Sequence, residues 1–198
     1  MNDTQKLTVK DLVNVGIFSA LYMVLTLIVM IPAGFAPVLW LLWPCMAGIV
    51  GGVFFTLLML KAPKPGTAFL LCCITGILFF VTGECTWVIV MTCIIGGILA
   101  ELVRKAFGCQ SFQGIALAGG CAALGLIGSP LPMWLFQEEY MKSILEMGMA
   151  QDYVASLQAM TSIWTLLLMV VTALIGGVLG TLIGRSMMKK HFEKAGIV

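Results

Sequence analysis

The stretch TAFLLCCITGILFFVTGECTWVIVMTCIIGGILA, residues 67–100, decides the fold. It is about 34 residues long, and Glu84 is its only acidic or basic side chain. As one α-helix it would run roughly 50 Å, against a hydrocarbon core of about 30 Å. The chain must therefore turn back inside it. Thr82-Gly83-Glu84-Cys85-Thr86 is the natural bend, leaving a helix of about 16 residues on either side.

The whole chain supports a lipid setting. Of its 198 residues 61% are apolar and 10% charged, and the mean hydropathy is +1.08. A water-soluble domain is normally about a quarter charged. Working outward from the hairpin, an apolar run over 38–60 ends at the turn Lys61-Ala-Pro-Lys-Pro-Gly66, and a run over 12–31 is closed by Pro32, Gly34 and Pro37. Downstream, 111–128 follows the turn at Gly108, and 162–187 forms the last run. The expectation is an all-α integral membrane fold: a single domain over 1–198 with six spans at about 12–31, 38–60, 67–83, 86–104, 111–128 and 162–187.

Charge placement orients these spans. Lys6 and Lys10, Lys61 and Lys64, Arg104 and Lys105, and the tail with Arg185, Lys189, Lys190 and Lys194 fall at every second connection and at both ends. The other connections hold Glu84, Glu138, Glu139, Glu146 and Asp152, with Lys142 as their one base. Basic flanks mark the cytoplasmic side, so both termini are expected there. Such flanks belong to membrane helices and imply no nucleic-acid partner. The polar N-terminus shows no small-residue cleavage site, so no removable signal peptide is expected. Seven cysteines without a CxxC pair read as small apolar residues, not a disulfide framework.

The connection between the fifth and sixth spans covers about 33 residues, longer than a turn needs. From Gln137 it has helical periodicity, with Tyr140, Met141, Ile144, Leu145, Tyr153, Leu157 and Met160 on apolar faces, and Gly148 dividing it in two. It reads equally as a surface-lying amphipathic segment or as a lid over a binding site.

Catalytic chemistry is scarce. His191, in the tail, is the only histidine, which excludes a Ser-His dyad, an HExxH zinc site and a histidine proton relay in the membrane. No P-loop is present for ATP hydrolysis, and Glu138-Glu139 lack an intramembrane partner for carboxylate proteolysis. No catalytic or metal residues are expected. The absence of charge deep inside the spans argues against an ion pathway. Glu84 beside Trp87 is either lifted into water by the hairpin or lines a pocket. Gly128-Ser-Pro-Leu-Pro-Met-Trp-Leu-Phe-Gln137 breaks the fifth helix with two prolines and offers Trp134 and Gln137 for stacking and amide contacts. Small-residue stripes occur at Gly16 and Ala20, and at Gly176, Gly180 and Gly184; the latter is expected to pack internally, the former to face a partner.

Residues 11–22, the Thr82…Trp87 hairpin, Leu131-Pro-Met-Trp-Leu-Phe136 and the tail from Gly184 to Gly196 resemble the Trep_Strep (MptD-like) group, essentially over the whole chain. That resemblance implies a non-enzymatic substrate-binding (S) component of an energy-coupling-factor importer in the bacterial cytoplasmic membrane. Such subunits bind a micronutrient near the outer face and dock on a membrane coupling protein driven by two cytoplasmic ATPases, which use the ATP; no intrinsic cofactor is implied. They are thought to topple in the membrane to release the ligand inside. Gly16 and Ala20 stand where the family's docking stripe lies. The expected pocket comprises Phe35, Glu84, Trp87, Trp134, Gln137 and Tyr140, suited to a vitamin-like, heterocyclic or tetrapyrrole ligand. The rival readings are a self-assembling channel or autonomous carrier without an ATPase partner, and an intramembrane enzyme.

Overall fold

The computed structural model describes residues 6–194, with side chains through Lys189. Expectations placed on the side chains of Lys190, His191 and Lys194 lie outside it. The described residues form nine α-helices: α1 Val9–Met30, α2 Pro37–Lys61, α3 Thr67–Val81, α4 Val88–Phe107, α5 Phe112–Gly125, α6 Pro132–Leu135, α7 Gln137–Glu146, α8 Gln151–Met160 and α9 Ile163–Lys194. Short 3-10 turns follow α1 at Ile31–Gly34 and α5 at Leu126–Gly128.

Six of these helices, α1 to α5 and α9, coincide with the runs read from the sequence. Three segments are long and apolar enough to cross a membrane by those measures alone: Val9–Gly34, Pro37–Lys61 and Ile163–Lys189. Helix α3 and the Phe112–Gly128 segment are apolar but shorter. Helix α4 has 20 residues and carries Glu101, Arg104 and Lys105 in its last two turns. The hairpin between α3 and α4 turns where expected, with Gly83 at φ +77° supplying a left-handed step that a side chain would resist.

Helices α2, α5 and α9 meet through glycine. A Cβ added at Gly176 or Gly180 would collide with the carbonyl oxygen of Cys45 or Ile49, one turn apart on α2. One added at Gly48 would lie 2.8 Å from the backbone nitrogen of Gly177. The glycine stripe of α9 is thus internal packing, as its spacing suggests. Without water to drive apolar surfaces together, this backbone-to-backbone closeness is what favours association. Gly16 differs: nothing lies within 4 Å of its Cβ position, and Ala20, one turn on, is exposed.

Polar side chains in the helices bond back to their own backbone. Ser19 Oγ donates to the Val15 carbonyl at 2.8 Å, and Thr26 Oγ1 to the Tyr22 carbonyl at 2.9 Å. The fully buried Trp43 donates to the Thr26 carbonyl at 3.1 Å and meets Phe79 edge-on. Such closure satisfies polar groups that have no water to turn to.

The basic ends gather at one end of the bundle. Thr8 and Asp11 cap α1 reciprocally, and Lys64 Nζ lies 2.7 Å from Asp11 Oδ2. The Arg185 guanidinium sits 4.0 Å above the Phe112 ring. Two expectations are corrected here. Arg104 is no water-facing flank but fully buried, and Glu101, inside the fourth run, is buried with it. Placed three residues apart on α4, they pair at 3.3 Å, which lets both charges leave water together.

Candidate functional site

At the opposite end, residues 129–161 fold over the bundle. Met141, Val154 and Leu157 are buried and form a small core with Met133, joined by Trp40, Ile144 and Tyr153. Gly148, at φ +93°, makes the reversal between α7 and α8. The Tyr153 hydroxyl donates to the Ala33 carbonyl at 2.7 Å, pinning α8 to the chain after α1. The connection therefore packs on the bundle through its apolar face. The four-residue α6 within it was not anticipated.

Beneath this cover lies a cavity of about 410 Å³. Its walls come from the end of α1 (Met30), the start of α2 (Trp40), the hairpin (Gly83 to Thr86), Ser129, and the covering helices with Tyr140, Ser143, Met147, Met149 and Tyr153. Aromatic and sulfur surface dominates, with a few hydroxyls, as expected of a small-molecule site. Glu84 is the only charged residue in the wall and is exposed at the rim. Cys85 Sγ lies 3.3 Å from Ser129 Oγ. Burial pushes this thiol up to about 11, outweighing the Ser129 hydrogen bond, so it is a neutral lining group near pH 7 rather than a nucleophile. Burial likewise raises the phenols of Tyr140 and Tyr153, which stay protonated donors.

Trp40 offers an unused donor. Its Nε1 is buried and bonds to no protein acceptor. The Tyr140 hydroxyl is close enough to feel it, but the pair falls outside hydrogen-bond geometry. A second, more open groove of about 510 Å³ runs along α1 past Val24, Ile28 and Ile31. It shares Met30, Trp40, Glu84 and Met149 with the first cavity.

Of the six residues expected to form a pocket, Glu84 and Tyr140 share this cavity. The other four lie outside its wall. Phe35 is 84% exposed, and Trp87 leans on Phe136 at 6.2 Å on the exterior. Trp134 is turned toward α9, donating to the Ser162 carbonyl at 2.9 Å, and Gln137 opens α7, half-buried. Trp40, Cys85, Ser129 and Tyr153 escaped sequence reasoning. Cys85, Ser129 and Tyr153 stand in segments singled out from the sequence without being assigned to the pocket, and Trp40 stands one turn before Trp43 in the second run, on the same helix face.

Residues 9–194 match the family described as hypothetical bacterial integral membrane protein (Trep_Strep). The chain belongs to the Trep_Strep family. As such it is an integral membrane protein of a bacterial family, in agreement with its apolar helices. No curated protein and no solved structure matches this Trep_Strep chain.

Proposed function

We propose that this Trep_Strep chain is the substrate-binding subunit of an energy-coupling-factor importer in the bacterial cytoplasmic membrane, with six spans and both termini inside. The observation that carries the reading is the covered cavity at the end of the bundle remote from the clustered basic residues, Lys142 being the one base at its own end. By the charge rule that end faces outward, where a scarce nutrient is met. A vitamin-like, heterocyclic or tetrapyrrole ligand would lie against Trp40 and Tyr140 while α7 and α8 close over it. Capture needs no catalytic group, and the reaction proposed is binding and release alone. Energy would come from partner ATPases.

Helix α1 supplies the second support. Its outer face carries Leu12, Val13, Ile17, Leu21 and Val24 exposed, with the open notch at Gly16 and Ala20. Lipid alone is satisfied by such a face, and a coupling protein would fit the notch closely.

Tagged protein drawn from native membranes in mild detergent, with mass spectrometry of what accompanies it, tests the reading. A membrane coupling protein with two ATPases, in stoichiometric yield, is the expected result. Recovery of only this chain as a defined oligomer would favour a self-assembling channel or autonomous carrier instead.

A further inference from the structure

The two cavities meet at Glu84, Trp40, Met30 and Met149, and they differ in what surrounds them. The inner one is roofed by α7 and α8. The outer one is a trough on the apolar flank of α1, where Val24, Ile28 and Ile31 are 52%, 55% and 64% exposed. Surface of this kind faces lipid, and the trough ends against the four residues that it shares with the inner cavity.

The shared mouth carries a single charge, the Glu84 carboxylate. Glu84 is the only ionisable wall residue of either cavity apart from thiol and phenol groups. On the covering helices stand Glu138, Glu139, Glu146 and Asp152, and the single base, Lys142, lies 3.9 Å from Glu146. A mouth walled by apolar surface and carrying one carboxylate, beneath helices of net negative charge, favours cations over anions. Trp40 lines the cavity, and its buried N–H makes no well-formed hydrogen bond within the protein even with the Tyr140 hydroxyl close by, a cost that a ligand acceptor would remove.

We infer that the ligand is an amphiphilic aromatic cation: a flat ring with an acceptor for Trp40 Nε1, an ammonium or ring N–H for Glu84, no anionic group, and an apolar tail by which it arrives sideways along α1. This rests on the ligand-capture reading above and narrows it. The tail leaves lipid for an equally apolar trough, so it gains little affinity there; it sets the route, and the ring sets the affinity.

The test uses the full chain in nanodiscs of zwitterionic lipid, with two probes carrying the same octyl chain and the same ring-nitrogen acceptor: an octyl-substituted 4-(aminomethyl)quinoline and the matching quinoline-4-carboxylate. Tryptophan quenching reads affinity, and stopped flow reads the association rate. The amine is expected to bind at least tenfold tighter than the acid. Glu84→Gln should bring that ratio close to one. Ile28→Trp, at an exposed position that leaves the melting temperature unchanged, should slow association at least tenfold with affinity within twofold. A carboxylate that binds as well as the amine overturns the charge assignment, and an unaltered association rate overturns the side route. Failure of both probes, with a coupling protein recovered by pull-down, rejects this ligand class and leaves the importer reading standing. Binding as expected without any coupling protein sinks the importer reading alone.

Discussion

The Arg104 guanidinium, with no exposed surface, donates to Glu101 Oε2 at 3.3 Å while its other nitrogen donates to the Cys109 carbonyl at 3.3 Å. The same side chain reaches the Lys64 carbonyl at 3.4 Å. One residue of α4 thereby fastens the α2–α3 and α4–α5 turns to each other. Arg104 Nε and Glu101 Oε1 remain without partners, so the pair is incompletely compensated.

Removing one partner strands the other charge. Arg104→Met is expected to destabilise the protein by about 3–5 kcal/mol, the usual penalty for breaking a buried pair. Glu101→Leu combined with Arg104→Met should recover most of that loss. Thermal unfolding in detergent, measured for the three proteins side by side, checks it; a double variant as weak as the single one would show that Arg104 acts only through the two carbonyls.

Two glycines should behave oppositely. Gly180→Ala pushes a methyl against the Ile49 carbonyl, an overpacking expected to cost roughly 1–3 kcal/mol. Gly16→Leu meets open space and should leave the melting temperature unchanged while abolishing co-purification of a coupling protein. Normal recovery of that partner with Gly16→Leu would remove the notch from the docking surface.

The Cys85 thiol sits at about 11 because burial disfavours its thiolate. A raised thiol is neutral below that value, so at pH 7 the reactive fraction is roughly one in ten thousand. Alkylation of Cys85, followed by peptide mass spectrometry, should accelerate about tenfold per pH unit from 7 to 10 and slow when the cavity is filled. A rate that levels off at about pH 9, as for an ordinary solvated thiol, would place the thiol in water rather than in the wall.

Trp134 is expected to matter for stability more than for affinity. Trp134→Phe keeps an aromatic ring but loses the indole N–H and its bond to the Ser162 carbonyl, at about 1 kcal/mol for the bond. Trp134→Ala also loses the packing against Ile127 and Met169, at about 3–5 kcal/mol. Ligand retention by Trp134→Phe should match the unsubstituted protein in equilibrium binding; a tenfold loss would return Trp134 to the site.

Tyr153→Phe frees the Ala33 carbonyl and releases α8 by about 1 kcal/mol. Limited proteolysis near Gly148 should quicken several-fold, and an unchanged rate would show that apolar packing alone holds the cover down.

Helix ends were readable because lipid permits few devices there. Pro32, Pro37 and Gly66 bracket runs whose length only a helix explains, and the α3–α4 bend follows from arithmetic on bilayer thickness. Side-chain direction was not readable to the same degree. Glu84, in the α3–α4 hairpin, and Tyr140, on α7, come together because both elements lie at the same end of the bundle. Trp134 looked equally available but turns to α9, a choice made by contacts with Ser162 and Met169, remote in sequence. Arg104 misled for a related reason: a basic residue at a helix end ordinarily signals water, and only the fold shows Glu101 and two carbonyls enclosing it.

Helices α3 and α5 have 15 and 14 residues, which at 1.5 Å each reach about 22 Å, short of a hydrocarbon core of about 30 Å. Helix α9 has 32 residues, but its uncharged part, 163–184, ends before Arg185 and at about 33 Å matches that core. Under the six-span reading the surrounding lipid must pinch in beside the short pair, at a cost that grows with acyl length. Bilayer composition thereby becomes an input to this protein: shorter-chain lipids relieve the pinch beside α3 and α5, next to the hairpin that carries Glu84.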